Sequence, residues 1–489
     1  MSLPQLEQVD APAAPDSKRW LALVVIAISQ LMIVLDASIV NIALPSAQRA
    51  LHISNADRQW VVTAYTLAFG GLLLLGGRIS DYLGRKRVFV VGLIGFAASS
   101  ALGGLAPNSA LLFGARALQG AFAALMAPAA LSLLTVTFTE PRERARAFGV
   151  YGGIAGGGAA IGLVLGGLLT QYASWRWCLL VNVPVALGAA FAATRVVRES
   201  RAEGRAHYDV PGAVTVTLGL VALVYGFTKA ETDGWASSTT IALLAAAIIL
   251  LASFVLIEVR SSHPLLPLRV VLDRNRGGSF LASLLVGSAL FGMFLFLTYY
   301  LQGTLHYSAL KSGFAFLPFS LGIIVSAGLA SSLLPRFGPR NLMAAGLAMA
   351  TLGMVWFTQL AVESSYAIHV LPAEIIMSVG MGLVFVPLSS TALIGVADHD
   401  AGVASALVNT TQQVGGSLGT ALLNTIAASA TASYLVAHRG ATAIGLVHGY
   451  TTAFVFSAVI LAVGLASTLL LIRAGRDEVV DSEAALVMA

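Results

Sequence analysis

The chain has 489 residues, of which 57% are hydrophobic and only 10% charged, and its mean hydropathy is +0.85. Soluble globular chains carry about 25% charged residues, so this composition excludes one and marks an integral membrane protein. The net charge of +5 is scattered over short turns between apolar blocks, which excludes a nucleic-acid-binding surface as its cause.

The apolar blocks have the length of membrane helices, about 20 residues each. In chain order they are predicted at 20–44, 57–77, 88–106, 109–134, 147–170, 178–197, 211–229, 239–259, 279–303, 312–334, 341–360, 366–394, 402–430 and 449–472, fourteen in all. They lack the alternation of a membrane β-barrel. The first block is too long for the apolar region of a signal peptide and is read as a retained helix. An even count puts both termini on one side. If that side is the cytoplasm, 21 Lys and Arg lie in inner loops and 6 in outer loops, the positive-inside bias. The lone cysteine, Cys178, rules out an intrachain disulfide.

The first block, "LMIVLDASIVNIALP" (31–45), holds Asp36 with no Lys or Arg within ten positions. Arg116 interrupts the fourth block. Counted from the outer ends of their blocks, the two lie at matching depths, Asp36 about 12 Å down at 1.5 Å per residue. An unpaired charge there costs at least several kcal/mol, so the two are expected to meet. A carboxyl held between desolvation and a guanidinium can load and release a proton. A permanent structural ion pair is the alternative.

Between the second and third blocks runs "GRISDYLGRKRVFVVG" (77–92). Gly77 and Gly84 permit close approach and a tight turn. Asp81 followed by Arg85, Lys86 and Arg87 can latch one conformation by ion pairs. In the fifth block Gly158, Gly162 and Gly166 recur every four residues beside Gly167, a spacing that lets helices touch closely. Gln30, Asn41, Tyr65, Gln119, Tyr299, Gln302, Asn409 and Gln412 are tentative cavity-lining residues, although polar groups in a bilayer often only join helices.

The chain also repeats itself. "DYLGRKRVFVVG" (81–92) has a partner in "PRFGPRNLMAAG" (335–346), with Gly84 matching Gly338 and Gly92 matching Gly346 at an offset of 254. Pro128 matches Pro387, and Gly158 and Gly162 match Gly415 and Gly419, at slightly larger offsets. The order implies duplicated six-helix bundles, an architecture that puts a transport site between the halves at the membrane midplane. The predicted organisation is a cytoplasmic tail (1–19), a first bundle (20–198), a linking region with two extra membrane helices (199–277), a second bundle (278–473) and a cytoplasmic tail (474–489). Glu374 is the second half's counterpart of Arg116 and a secondary proton-coupling candidate. An interfacial carboxylate reaching water is equally open for it.

The 77–92 stretch resembles motif A of the major facilitator superfamily. "LDASIVNIALP" (35–45) is similar to the first-helix motif of that superfamily's fourteen-span drug:proton antiporter branch. "RALQGAFAALMAPAALSLL" (116–134) resembles motif B. "WRWCLLVNVPVAL" (175–187) and "ASALVNTTQQVGGSLGTALLNT" (404–425) also look like this branch. One departure is "GGIAGGGAAIGLVLGG" (152–167), which has Gly162-Leu163 where motif C usually carries Gly-Pro.

The resemblance implies an all-α major facilitator fold and a bacterial cytoplasmic-membrane exporter of lipophilic drugs or antibiotics. Asp36 and Arg116 would couple it to protons, with Gly77, Asp81, Gly84, Arg85 and Arg87 as latch and the four glycines as helix seam. A same-fold nutrient symporter and a narrow exporter of an endogenous metabolite remain alternatives. No phosphate-cradling loop, metal cluster or catalytic constellation is visible. The chain is therefore expected to be no enzyme and to need no cofactor beyond the proton gradient. Its expected partners are a small lipophilic substrate, protons and the bilayer, and a monomer suffices.

Overall fold

A computed structural model describes residues 18–138, 140–201, 209–262, 264–396, 401–438 and 442–475. Helix α1 runs from Arg19 to Ala50, six residues beyond the predicted end at 44, with Pro45 inside it. Proline removes an N–H, but its carbonyl is taken by Arg49 Nε at 3.2 Å, and Leu51 N closes the last turn on Ala47 O at 3.0 Å. Helices α2 (Trp60–Leu83) and α3 (Arg85–Gly104) meet at Gly84, whose φ of +111° only glycine adopts readily. Then come α4 (Ser109–Thr137), α5 (Pro141–Tyr172), the short α6 (Trp177–Leu180) and α7 (Asn182–Val196). Asn108 caps α4 by accepting from Leu111 N at 2.9 Å.

Next is a hairpin of α8 (Val210–Asp233) and α9 (Ser238–Arg260), followed by the short α10 (Leu268–Val271). The second set is α11 (Arg274–Tyr299), α12 (Ala309–Ala315), α13 (Leu317–Phe337), α14 (Pro339–Phe357), α15 (Leu371–Thr391), α16 (Ala401–Ala437) and α17 (Thr442–Leu471). Single π-helical turns extend α11 at Tyr300–Thr304 and precede α15 at Tyr366–Val370. The turn between α13 and α14 repeats that between α2 and α3: Gly338 has φ +74°.

The count of membrane-capable helices needs correcting. Among the described residues twelve helices are long and apolar enough to cross a bilayer, where the sequence suggested fourteen. The 19-residue α14 falls short because its opening turn, Pro-Arg-Asn, is polar; of α5, the fully described stretch Gly158–Tyr172 is apolar.

Helices α1–α7 pack together, and α11–α17 pack together. The tightest seams rest on glycine. A Cβ on Gly120 of α4 would lie 2.2 Å from Tyr65 O of α2, and one on Gly415 of α16 would lie 1.9 Å from Leu284 O of α11. In the α2–α4 seam the second close glycine is Gly76, 2.1 Å from Ala124 O. The predicted Gly77 has ordinary space, 3.6 Å from Pro128 Cβ.

The extra hairpin does more than tether. Helix α8 lies against both α2 and α16, one from each set. Gln59 Nε2 donates to Thr228 Oγ1 at 3.0 Å, and Thr425 Oγ1 donates to the Phe227 carbonyl at 3.0 Å. Leu67, Leu220, Val224 and Ala421 form a small apolar core between the three helices.

Gly120→Ala is expected to destabilise the protein by about 1–3 kcal/mol through overpacking, read as a fall in thermal unfolding temperature in detergent. Gly114→Ala, on the same helix with nothing within 4 Å, is expected to leave it unchanged.

Candidate functional site

Asp36 of α1 has no exposed surface; α4 and α7 deliver donors to it, and α2 and α3 supply partners to those donors. Arg116 of α4 donates from Nη1 to Asp36 Oδ2 at 2.6 Å. Asp36 Oδ1 accepts from Gln119 Nε2 at 2.7 Å and from Asn182 Nδ2 of α7 at 2.9 Å. Gln119 Nε2 also donates to Ser100 Oγ of α3 at 2.6 Å. The guanidinium is held on every side. Its Nε donates to the Val61 carbonyl of α2 at 2.9 Å, Nη1 donates to Gln119 Oε1 at 2.6 Å, and its plane lies 4.5 Å from the Tyr65 ring centroid. Gln119 stands one helical turn from Arg116, so both reach the same carboxylate.

Three donors point at the two oxygens of Asp36 and occupy three of their roughly four lone-pair sites. The Tyr65 hydroxyl, buried beside the cluster, has no hydrogen-bond partner among the described residues.

The sequence paired Asp36 with Arg116 and the structure brings them together. Gln119 and Tyr65, expected in a substrate cavity, are instead buried parts of this cluster. Two members were missed. Asn182 lies inside the 175–187 stretch, where a single amide in an apolar run is a signal of the same kind as Asp36. Ser100 carries no such signal, because membrane serines commonly bond their own helix, as Ser29 does to Val25 O at 2.8 Å.

Glu374 lies apart, in the first turn of α15, and is fully buried. The interfacial, water-reaching alternative is therefore wrong. Its Oε2 lies 3.1 Å from the Tyr366 hydroxyl, which is also 2.7 Å from the Ala315 carbonyl, and Oε1 has no partner among the described residues. The hydroxyl has one hydrogen for two acceptors, so both contacts are satisfied together only when Glu374 itself carries a proton.

The two helix sets close on each other at the end holding residues 42–58. Gln302 Nε2 donates to the Ile42 carbonyl at 3.0 Å, and the Tyr299 hydroxyl donates to Gln48 Oε1. Buried Arg58 donates to Asn424 Oδ1 at 3.1 Å and stacks 4.0 Å over the Tyr299 ring, while Asn424 Nδ2 donates to the Asn55 carbonyl at 3.1 Å. Tyr299 and Gln302, expected in the cavity, thus belong to this closure, and Arg58 was missed. Of the remaining cavity candidates, Gln30 accepts from Tyr151 and Asn41 donates to its own helix, both half-buried. Asn409 is exposed and Gln412 half-buried on α16.

The latch residues meet differently from expectation. Arg85 pairs with Asp81 at 2.9 Å one turn away. A further tie comes from Glu199, which follows α7 and carries no signal in the sequence. Its two oxygens accept from Lys86 N at 3.0 Å and Arg87 N at 3.2 Å, capping α3. Gly84 leaves room for it: a Cβ there would come within 2.8 Å of Glu199 Oε1. Of the seam glycines, Gly158, Gly162 and Gly166 face Val34, Ser38 and Ile39 of α1 in the same set. Only Gly167 crosses to the other, where a Cβ would lie 2.6 Å from Leu310 Cα.

The family profile described as Major Facilitator Superfamily matches residues 26–420. The chain is 53% identical over 449 residues to the puromycin resistance protein pur8 of Streptomyces alboniger, covering 91% of this chain and 89% of that one. It is 40% identical over 432 residues to the cephamycin export protein CmcT of Amycolatopsis lactamdurans, covering 87% and 89%. Its fold is similar to the crystal structure of a bacterial homolog of the human lysosomal transporter Spinster, with a TM-score of 0.66 and 15% identity over 95% of this chain and 99% of that one.

Arg116→Met leaves Asp36 buried without its counter-charge and is expected to cost about 3–5 kcal/mol. The double variant Asp36→Asn with Arg116→Met is expected to recover part of that loss. Thermal unfolding of the purified proteins in one detergent checks both.

Proposed function

The chain belongs to the Major Facilitator Superfamily, and on that premise we propose that it exports lipophilic antibiotics or drugs across a bacterial cytoplasmic membrane in exchange for protons. It is a multi-pass membrane transporter of the drug-efflux type. The export direction is supported by relatives named for puromycin resistance and cephamycin export, which match this chain over most of its length. The proton coupling rests on one observation: a carboxylate in the apolar interior, held by Arg116, Gln119 and Asn182.

Alternating access supplies the mechanism. In the state described, the two helix sets meet at the 42–58 end, which the charge bias of the loops assigns to the outside, both termini being cytoplasmic. Asp36 ties α1 to α4 and α7. Helix α1 also carries Ile42 and Gln48, one and a half and three turns further along, and both touch the second set. When that closure opens, Asp36 faces the outside and takes up a proton, which weakens its hold on Arg116. Once the closure re-forms, the proton leaves towards the cytoplasm, so each cycle carries a proton inward as substrate moves out. Glu374 is a second proton holder on the opposite set. The gradient alone drives the cycle, with no bound cofactor, and one chain carries the whole pathway.

Dye efflux from energised cells, at matched expression, tests the coupling. Wild-type efflux is expected to collapse with a protonophore, and Asp36→Asn is expected to lose it. Intact efflux in Asp36→Asn would move the coupling to Glu374. Disulfide formation in the pair Gln48→Cys with Tyr299→Cys is expected to stop efflux until reduced. The native thiol, Cys178, is buried and will not interfere.

A further inference from the structure

The duplicated halves treat one equivalent position in opposite ways. In the first set, α3 packs on α7, and Lys86 Nζ donates to the Thr194 carbonyl at 2.9 Å, two residues before α7 ends at Val196. In the second, α14 packs on α17, and Arg340, the counterpart of Lys86, donates from Nη2 to the Leu469 carbonyl at 2.8 Å, two residues before α17 ends at Leu471. Three residues beyond each helix end stand Glu199 and Ala474. Glu199 fills its place with a carboxylate that accepts from Lys86 N and Arg87 N. Ala474, itself buried, brings no carboxylate, and beside it lies an open cleft of about 290 Å³ lined by Arg336, Phe337, Arg340, Asn341, Arg473 and Gly475.

The cleft therefore keeps the donors of an anion site without the anion. The N–H groups of Arg340 and Asn341 correspond to those that bind Glu199, and they sit at the positive end of a 19-residue helix. Three guanidinium groups surround them, no carboxylate lines the cleft, and none of the three arginines makes an ion pair among the described residues. Exposed apolar side chains adjoin it at Phe337, Leu469 and Leu470.

We propose that this cleft binds the phosphate of an anionic phospholipid in the cytoplasmic leaflet. A headgroup phosphate meets the guanidinium fork and the free N–H groups, and its acyl chains lie along the apolar flank. Basic pockets at helix ends on that side are suited to anionic headgroups. The leaflet rests on the topology proposed above, whereas the binding itself does not depend on transport.

The test titrates the purified full-length protein in detergent with phosphatidylglycerol, phosphatidylcholine or inorganic phosphate and counts bound lipid by native mass spectrometry alongside thermal unfolding. Wild type is expected to retain and be stabilised by phosphatidylglycerol selectively. Arg336→Gln and Arg473→Gln are each expected to weaken that affinity roughly fivefold, from about 1 kcal/mol per basic residue. Ala474→Glu supplies the first half's own carboxylate and is expected to abolish the selectivity while remaining folded. Equal binding of both lipids, or unchanged selectivity in Ala474→Glu and the arginine variants, would overturn the proposal. Full stabilisation by inorganic phosphate would overturn the lipid as its source. Selectivity that appears only after Asp477, Glu478, Asp481 and Glu483 are neutralised together would give the cleft to the chain's own tail.

Discussion

A buried carboxylate must be answered by donors, and Asp36 organises the first half of this protein through that requirement. Removing two charges from water costs several kcal/mol each even after relaxation. Their mutual attraction offsets this only with close geometry and all remaining lone pairs and protons engaged. Here Arg116 supplies the charge, Gln119, Asn182 and Ser100 complete the hydrogen bonds, and the Val61 carbonyl takes the guanidinium's Nε. Helices α1, α2, α3, α4 and α7 are consequently joined through one polar cluster, Asp36 reaching α4 and α7 directly and α2 and α3 through Arg116 and Gln119.

Packing around the cluster follows from small residues. Gly120 stands one position beyond Gln119 and lets α4 approach the backbone of α2 at Tyr65. That approach sets Tyr65 under Arg116. Stability and site geometry thus share one seam, with glycine bringing the helices close and the ion pair holding their depth.

Much of this is legible in the sequence because the bilayer makes charge conspicuous. Asp36 and Arg116 stand out in apolar runs, and their depths agree once the runs are laid side by side. The duplicated Gly84 and Gly338 are also legible, and both adopt positive φ. Neutral polar groups are less so. Asn182 and Ser100 resemble the many amides and hydroxyls that join helices, and nothing in their spacing separates them. Gly77 and Gly76 are neighbours, and the helical phase that makes Gly76 the close contact is set by tertiary packing. Glu199 lies beyond α7, far in sequence from the turn it caps. The extension of α1 past Pro45 likewise depends on local bonds that a proline signal hides. Tyr299 and Gln302 were read as cavity residues because polarity alone does not say whether a group faces a ligand or the other half of the protein.

The hairpin of α8 and α9 breaks the twofold symmetry of the bundles, and this has a geometric consequence. A pair of bundles meets the surrounding lipid along two flanks, one at α2 and α16 and one at α5 with α12 and α13. The hairpin lies over the first, sealed by Gln59, Thr228, Thr425 and the apolar cluster around Leu220. The second flank carries no such hairpin among the described residues and is closed by direct contact, Gly167 against Leu310 and Gly313 against Leu163, so the protein turns two unlike faces to the surrounding lipid.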